Sequence, residues 1–309
     1  MPLPTLRPAP RARAGRRGPR RFTRRDLAVL GVLLGLPVLL DLAVVWGPTL
    51  ASIGLSFTSW DGLGEIRWVG GKNYATLFTD YPQFWPAVRN NLLWLGFLGL
   101  VATPFGLFLA VLLDRGVRFS RFYQSTLYMP VVLSLAIVGF IAQLIFSRDQ
   151  GALNAVLANQ DHPVDWLGDP DLNIWMVLIA AAWRHTGYVM ILYLAGLKSV
   201  DASLKEAAAI DGASERQTFF RVVFPTLRPV NVIVGVITVI EALRAFDIVY
   251  AINHGRNGLE LLSVLVTDNI IGEASRIGFG SAIAVVLLTV SLGFIATYLV
   301  QELRGEKQT

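Results

Sequence analysis

The chain has 309 residues, of which 54% are hydrophobic and only 16% charged, with a net charge of +5 and a mean hydropathy of +0.54. That is too apolar for an ordinary soluble domain and reads as a membrane protein. The absence of cysteine excludes a disulfide framework, a thiol catalyst and a thiolate metal site.

The first 26 residues hold Arg7, Arg11, Arg13, Arg16, Arg17, Arg20, Arg21, Arg24 and Arg25 among Pro and Gly. Such a segment buries no core and is expected to be disordered. Its charge alone would suit a nucleic-acid arm. A basic tail abutting an apolar span is better read as a topogenic signal or a contact with anionic lipid, so no nucleic-acid partner is expected. The apolar run from Leu27 to Trp46 exceeds the h-region of a signal peptide and is read as an uncleaved first span.

Six segments have the length to cross the hydrocarbon core: 27 to 50, 91 to 113, 123 to 146, 172 to 196, 230 to 252 and 277 to 299. The expected fold is therefore all-α and polytopic, with a six-helix membrane domain over 27–302 and a short tail at 303–309. Placing both termini in the cytoplasm puts Arg115, Arg118, Arg121, Lys198, Lys205, Arg216, Arg221 and Arg228 inside, and leaves few cations outside. Trp46, Trp60, Trp68, Trp85, Trp94, Trp166 and Trp175 then fall near outer span ends or in outer loops, where indoles favour the interface. Pro104 and Pro130 mark kinks or unwinding points in spans two and three. The loop from Asp161 to Asp171 is acidic, but nothing in it fixes a metal geometry. Asp41, Trp183, Arg184, His185 and Tyr188 are polar interruptions of spans one and four; a lone His there is more often a hydrogen-bonded interior residue than a proton relay.

After span four comes a polar stretch, 203–225. Ser203 with Glu206 and Ser214 with Gln217 repeat the S-x-x-E/Q capping-box spacing, so two short helices are expected. Gly212 between them takes φ > 0 at no steric cost, and Pro225 with Pro229 separates the second helix from span five. Phe219, Phe220, Val223 and Phe224 form one sticky face, which suits either packing on the chain's own spans or docking of a partner.

Glu206-Ala207-Ala208, Gly212 and an apolar-x-apolar-Pro ending at Pro225 resemble the EAA loop of ABC importer permeases, with Val222 and Phe224 where Ile and Leu are usual. The resemblance implies a cytoplasmic coupling loop whose segment Glu206 to Asp211 enters a cleft on an ATPase subunit, with Gly212 as the bend. Ser56-Phe-Thr-Ser-Trp60, Val69-Gly-Gly-Lys-Asn-Tyr74, Tyr128-Met-Pro130 and Phe246-Asp-Ile-Val-Tyr250 look like the carbohydrate-uptake branch of the same family. The implied partners are two ATP-binding subunits, a second and nonidentical permease, an extracytoplasmic solute-binding protein, membrane lipid and a sugar or polyol.

Span five carries Glu241, Arg244 and Asp247 at i, i+3, i+6, close enough on one face for each neighbouring pair to form an ion pair. They read either as a self-neutralising structural ladder or as a lining for a polyhydroxylated solute, with Phe246 and Tyr250 as stacking surfaces and Trp183 of span four as a further candidate for the path. No phosphate loop, HExxH or G-x-S-x-G is present. No catalytic residue, metal or cofactor is therefore expected, and the chain is read as a transport subunit in the cell membrane that hydrolyses no ATP itself. A stand-alone ion-driven secondary carrier is the alternative.

Overall fold

The computed structural model describes residues 23–157, 161–272 and 275–306; the arginines of the expected disordered tail up to Arg21 lie outside them. Helix α1 (Arg24–Leu55) starts three residues before the expected span because Thr23 and Asp26 form a reciprocal capping box. The chain divides into two compact units, 1–51 and 52–309. The first contains most of α1, with a π turn at Leu42–Trp46.

The second unit opens with a loop closed by a single bridge between Thr58 and Trp68. Two of the family-like patches meet here. Asn73 Nδ2 on α2 (Lys72–Thr79) donates to Ser56 O and Thr58 O at 2.8 Å each, and Phe57 stacks on Trp68. Helix α3 (Phe84–Asp114) is long enough to span, and its ladder loosens into a π turn at Leu98–Ala102 just before Pro104, whose ring nitrogen donates no bond.

The third span is not one rod. Helices α4 (Ser120–Val132) and α5 (Leu135–Phe146) meet at 101°. The break falls at Leu133 and Ser134, three to four residues past Pro130, where the backbone turns extended; the Ser134 hydroxyl then caps the Ile137 N–H and restarts the helix. A short helix α6 (Ala152–Val156) follows, then α7 (Pro170–Ser199), 30 residues or about 45 Å long. Beyond the elbow helices α8 (Ala202–Ile210) and α9 (Glu215–Thr218) come α10 (Arg228–Leu243), α11 (Asp247–Asn253), α12 (Leu262–Ile270) and α13 (Ile277–Glu306). The helical end of α13 thus overlaps the expected tail at 303–309.

Among the described residues, four helices are long and apolar enough to cross a membrane, or five if the bent pair counts as one. The expected six continuous spans are not seen. Helix α10 has 16 residues, about 24 Å, short of a hydrocarbon core of about 30 Å. No glycine or proline marks its end. Side-chain amides take over instead: Asn91 Nδ2 donates to Ala242 O at 3.3 Å, and Gln143 Nε2 donates to the carbonyls of Ala251 and Ile252 in α11. Interruption inside a membrane protein is tolerated where neighbours satisfy the freed groups in this way.

The core has two main parts. Trp94, Leu98, Val177, Leu178, Ala242 and Ile248 bind α3, α7, α10 and α11 together, while Ala110, Val189, Met190, Leu194, Val223 and Leu227 fasten the elbow to α3 and α7. Both the break and the elbow are thereby anchored to the same two long helices.

Candidate functional site

The elbow is two-helical, as its spacing predicts, but its first cap differs. Asp201, not Ser203, caps α8, its carboxylate accepting from the Ser203 N–H at 2.9 Å. That bond holds the Asp201 carboxyl below its ordinary pKa. An Asp closer to the helix start displaces the expected Ser203–Glu206 box and leaves Glu206 exposed. The second box forms: Ser214 Oγ accepts from Gln217 N and Gln217 Oε1 from Ser214 N. Between them Gly212 has φ +75°, with open space where a side chain would stand, so the constraint is backbone conformation alone.

Helix α9 does not stop at Pro225. It runs on through a π turn at Phe219–Val223 into Phe224–Thr226 and breaks at Leu227, between Pro225 and Pro229. The π turn also rotates the apolar face. Val223 is 4% exposed whereas Phe220, expected beside it, is 58% exposed. Two ion pairs clamp the elbow to the end of α3: Lys205 Nζ to Asp114 Oδ2 at 3.6 Å and Arg115 Nη2 to Glu215 Oε2 at 3.0 Å. Ala208 faces inward, while Ala207, Asp211 and Ile210, the last 87% exposed, face away from the chain.

Where α10 breaks, the structure forms a cavity of about 230 Å³ whose polar lining is Arg184, His185, Glu241, Arg244 and Asp247, with Trp94 on one wall. The ladder expected along span five does not form. Glu241 pairs with Arg184 of α7 at 3.3 Å, and no ion pair within 4 Å joins Arg244 to Glu241 or Asp247 among the described residues. The helical register needed for i, i+3, i+6 contacts ends at Leu243. Arg184 Nε is buried without a partner. The cavity therefore carries two cations and two anions, balanced and rich in hydrogen-bonding groups, with no nucleophile and, among the described residues, no group fit to hold a metal.

Just beneath, Thr103, His185 and Thr238 join α3, α7 and α10. His185 Nε2 lies 3.2 Å from both hydroxyls. Thr238 also donates to Val234 O at 2.7 Å and lies 3.3 Å from the Thr103 hydroxyl, so the three side chains form one hydrogen-bonded cluster across the three helices. This is the hydrogen-bonded interior histidine that the sequence suggests.

Of the residues singled out in span five, Glu241, Arg244 and Asp247 come together in the cavity. Phe246 and Tyr250 stack on each other at 4.9 Å outside it, and Trp183, 40% exposed, points elsewhere. The Arg184–Glu241 pair was not legible, because its members lie 57 residues apart. Thr103, Thr238 and the role of Trp94 were missed for the same reason.

Residues 102–305 match the family of binding-protein-dependent transport system inner membrane components. The chain is 35% identical over 295 residues to the xylose/arabinose import permease protein XacH of Haloferax volcanii, covering 91% of this chain and 90% of that protein. It is 30% identical over 316 residues to the diacetylchitobiose uptake system permease protein NgcF of Streptomyces coelicolor, covering 97% and 89%. Its fold is similar to a chain of the bacterial alginate ABC transporter, solved in complex with an alginate pentasaccharide-bound periplasmic protein, at a TM-score of 0.76 and 22% identity over 89% of this chain and 93% of that one.

Proposed function

The chain belongs to the binding-protein-dependent transport system inner membrane components, and from that premise we propose that it is the saccharide-conducting permease subunit of an ATP-driven importer. Two ATPase subunits close on ATP and push the elbow, a second permease completes the path, and an extracytoplasmic protein delivers the solute. The termini and the elbow lie in the cytoplasm, on the side richer in Lys and Arg.

The observation that carries the reading is the elbow itself. Glu206-Ala207-Ala208 stand on a capped helix, Gly212 turns the chain at φ +75°, and the exposed Ile210 and Leu204 offer apolar anchors for a cleft. A docking face on one side and ion pairs to α3 on the other form a physical connection between an ATPase and the membrane helices. The charge-balanced cavity around Arg184 and Glu241 suits a neutral, hydroxylated solute, which it can meet with hydrogen bonds.

The test is uptake by the assembled transporter in cells. Uptake should stop when ATP is depleted and persist when the ion gradient is collapsed by an uncoupler. The opposite pattern would establish the ion-driven carrier instead.

A further inference from the structure

At the end of the molecule away from the elbow, where Gly258 packs against Pro170 at the start of α7, lies a second and larger recess of about 580 Å³. Tyr250, His254, Arg256, Glu260 and Asp268 give it its chemistry, and the exposed Gln83 borders it. It is separate from the central cavity and shares no lining residue with it.

Its floor is one unusual turn. His254, Gly255, Asn257 and Gly258 all have left-handed φ, at 58°, 70°, 58° and 82°. For the two that are not glycine this conformation costs about 1–2 kcal/mol each, so something must hold it. Three asparagines do. Asn173 Nδ2 donates to Arg256 O and Asn257 O, Asn90 Nδ2 to Gly258 O and Glu260 O, and Asn253 Nδ2 to Arg256 O, all within 3.3 Å. This scaffold fixes the backbone that carries Arg256 and Glu260, whose side chains line the recess.

An aromatic ladder leads inward from it. His254, Tyr250 and Phe246 recur at every fourth position, with ring centroids 4.5 Å and 4.9 Å apart. Asp247, next to Phe246, already lines the central cavity. Across the recess, partial burial raises the Asp268 carboxyl above its ordinary pKa, and the nearby charges of Arg256 and His254 pull it back.

Resting on the permease reading, we propose that this recess is an outer saccharide subsite, in which a sugar ring lies against Tyr250 and its hydroxyls bond to Arg256, Glu260 and Asp268. From there the solute passes along the ladder to the central cavity. A volume of several hundred Å³ takes a small molecule rather than a protein segment. Charges of both signs beside an aromatic face suit hydroxyls, which donate as well as accept.

The lack of cysteine makes the test clean, since Gln83→Cys gives this chain a single thiol at the rim. Gln83 is exposed and its side chain only accepts a bond from the Tyr81 hydroxyl, so the substitution leaves the fold intact, which sugar uptake by the variant verifies. The full transporter in proteoliposomes, without binding protein, is labelled by a membrane-impermeant maleimide, and the rate is read on this chain. Xylose, arabinose and diacetylchitobiose are the probes. At least one, at about ten times its dissociation constant, should slow labelling about tenfold. Tyr250→Ala should abolish that protection and Tyr250→Phe should keep it. Protection by none of the three sugars would overturn the subsite. ATP-driven uptake of the same sugars, measured alongside, tests the permease reading separately.

Discussion

Glu241 has one partner in the sequence pattern and another in space. Its sequence neighbour Arg244 stands at the i+3 distance that an unbroken helix would bring into contact, yet the helix ends at Leu243 and Arg184 takes its place. Both members of this pair are partly shielded, with side chains 21% and 36% exposed, so loss of the carboxylate leaves a cation poorly compensated at a cost of about 1 kcal/mol or more. Glu241→Gln is therefore expected to change the apparent affinity for the transported solute about fivefold at unchanged protein level. A drop in protein level at unchanged affinity would assign the pair a structural role. Residue types were legible in the sequence, since charges inside an apolar run announce themselves. Their partners were not, because a contact across 57 residues depends on how α7 and α10 pack.

At the scale of elements, local signals were read well and long-range ones poorly. The Ser214–Gln217 box and the Gly212 bend are formed by residues three or four apart, and both stand where the spacing put them. The break in span five is met by Asn91 and Gln143 reaching carbonyls far along the chain, which composition does not reveal, whereas the 101° bend in span three falls a few residues past Pro130, near the expected unwinding point. The elbow also shows a connection that no local pattern contains: adjacent opposite charges at Asp114 and Arg115 hold Lys205 on one short helix and Glu215 on the next. The Arg115–Glu215 pair is exposed and the Lys205–Asp114 pair half-buried, each worth only ~0–1 kcal/mol, enough to set registration rather than stability. Lys205→Asp should lower uptake about two- to fivefold, and adding Asp114→Lys should restore it. Failure of the double exchange to restore uptake would show that the pair transmits nothing.

For the whole molecule, the arrangement has a direction. The elbow lies at one end of α7, the polar cavity partway along it and the scaffolded recess near Pro170 at the other end. Helix α8 is joined to α3 by the charge pairs and leads into α10 through the break at Leu227, and α3 and α10 both wall the cavity, through Trp94 and Glu241. The class of fold and the coupling motif were legible from hydropathy and from residues a few positions apart. The cavity was legible only as a set of charges, since its shape is created by the helix break.

The most direct measurement of this account is to follow sugar uptake and ATP hydrolysis together in the reconstituted transporter carrying Gly212→Val. A β-branched residue at φ +75° is strained by about 1–2 kcal/mol or more, and the account predicts that uptake falls roughly tenfold while the transporter still assembles and hydrolyses ATP. Uptake at the wild-type rate and wild-type stoichiometry in that variant would contradict it.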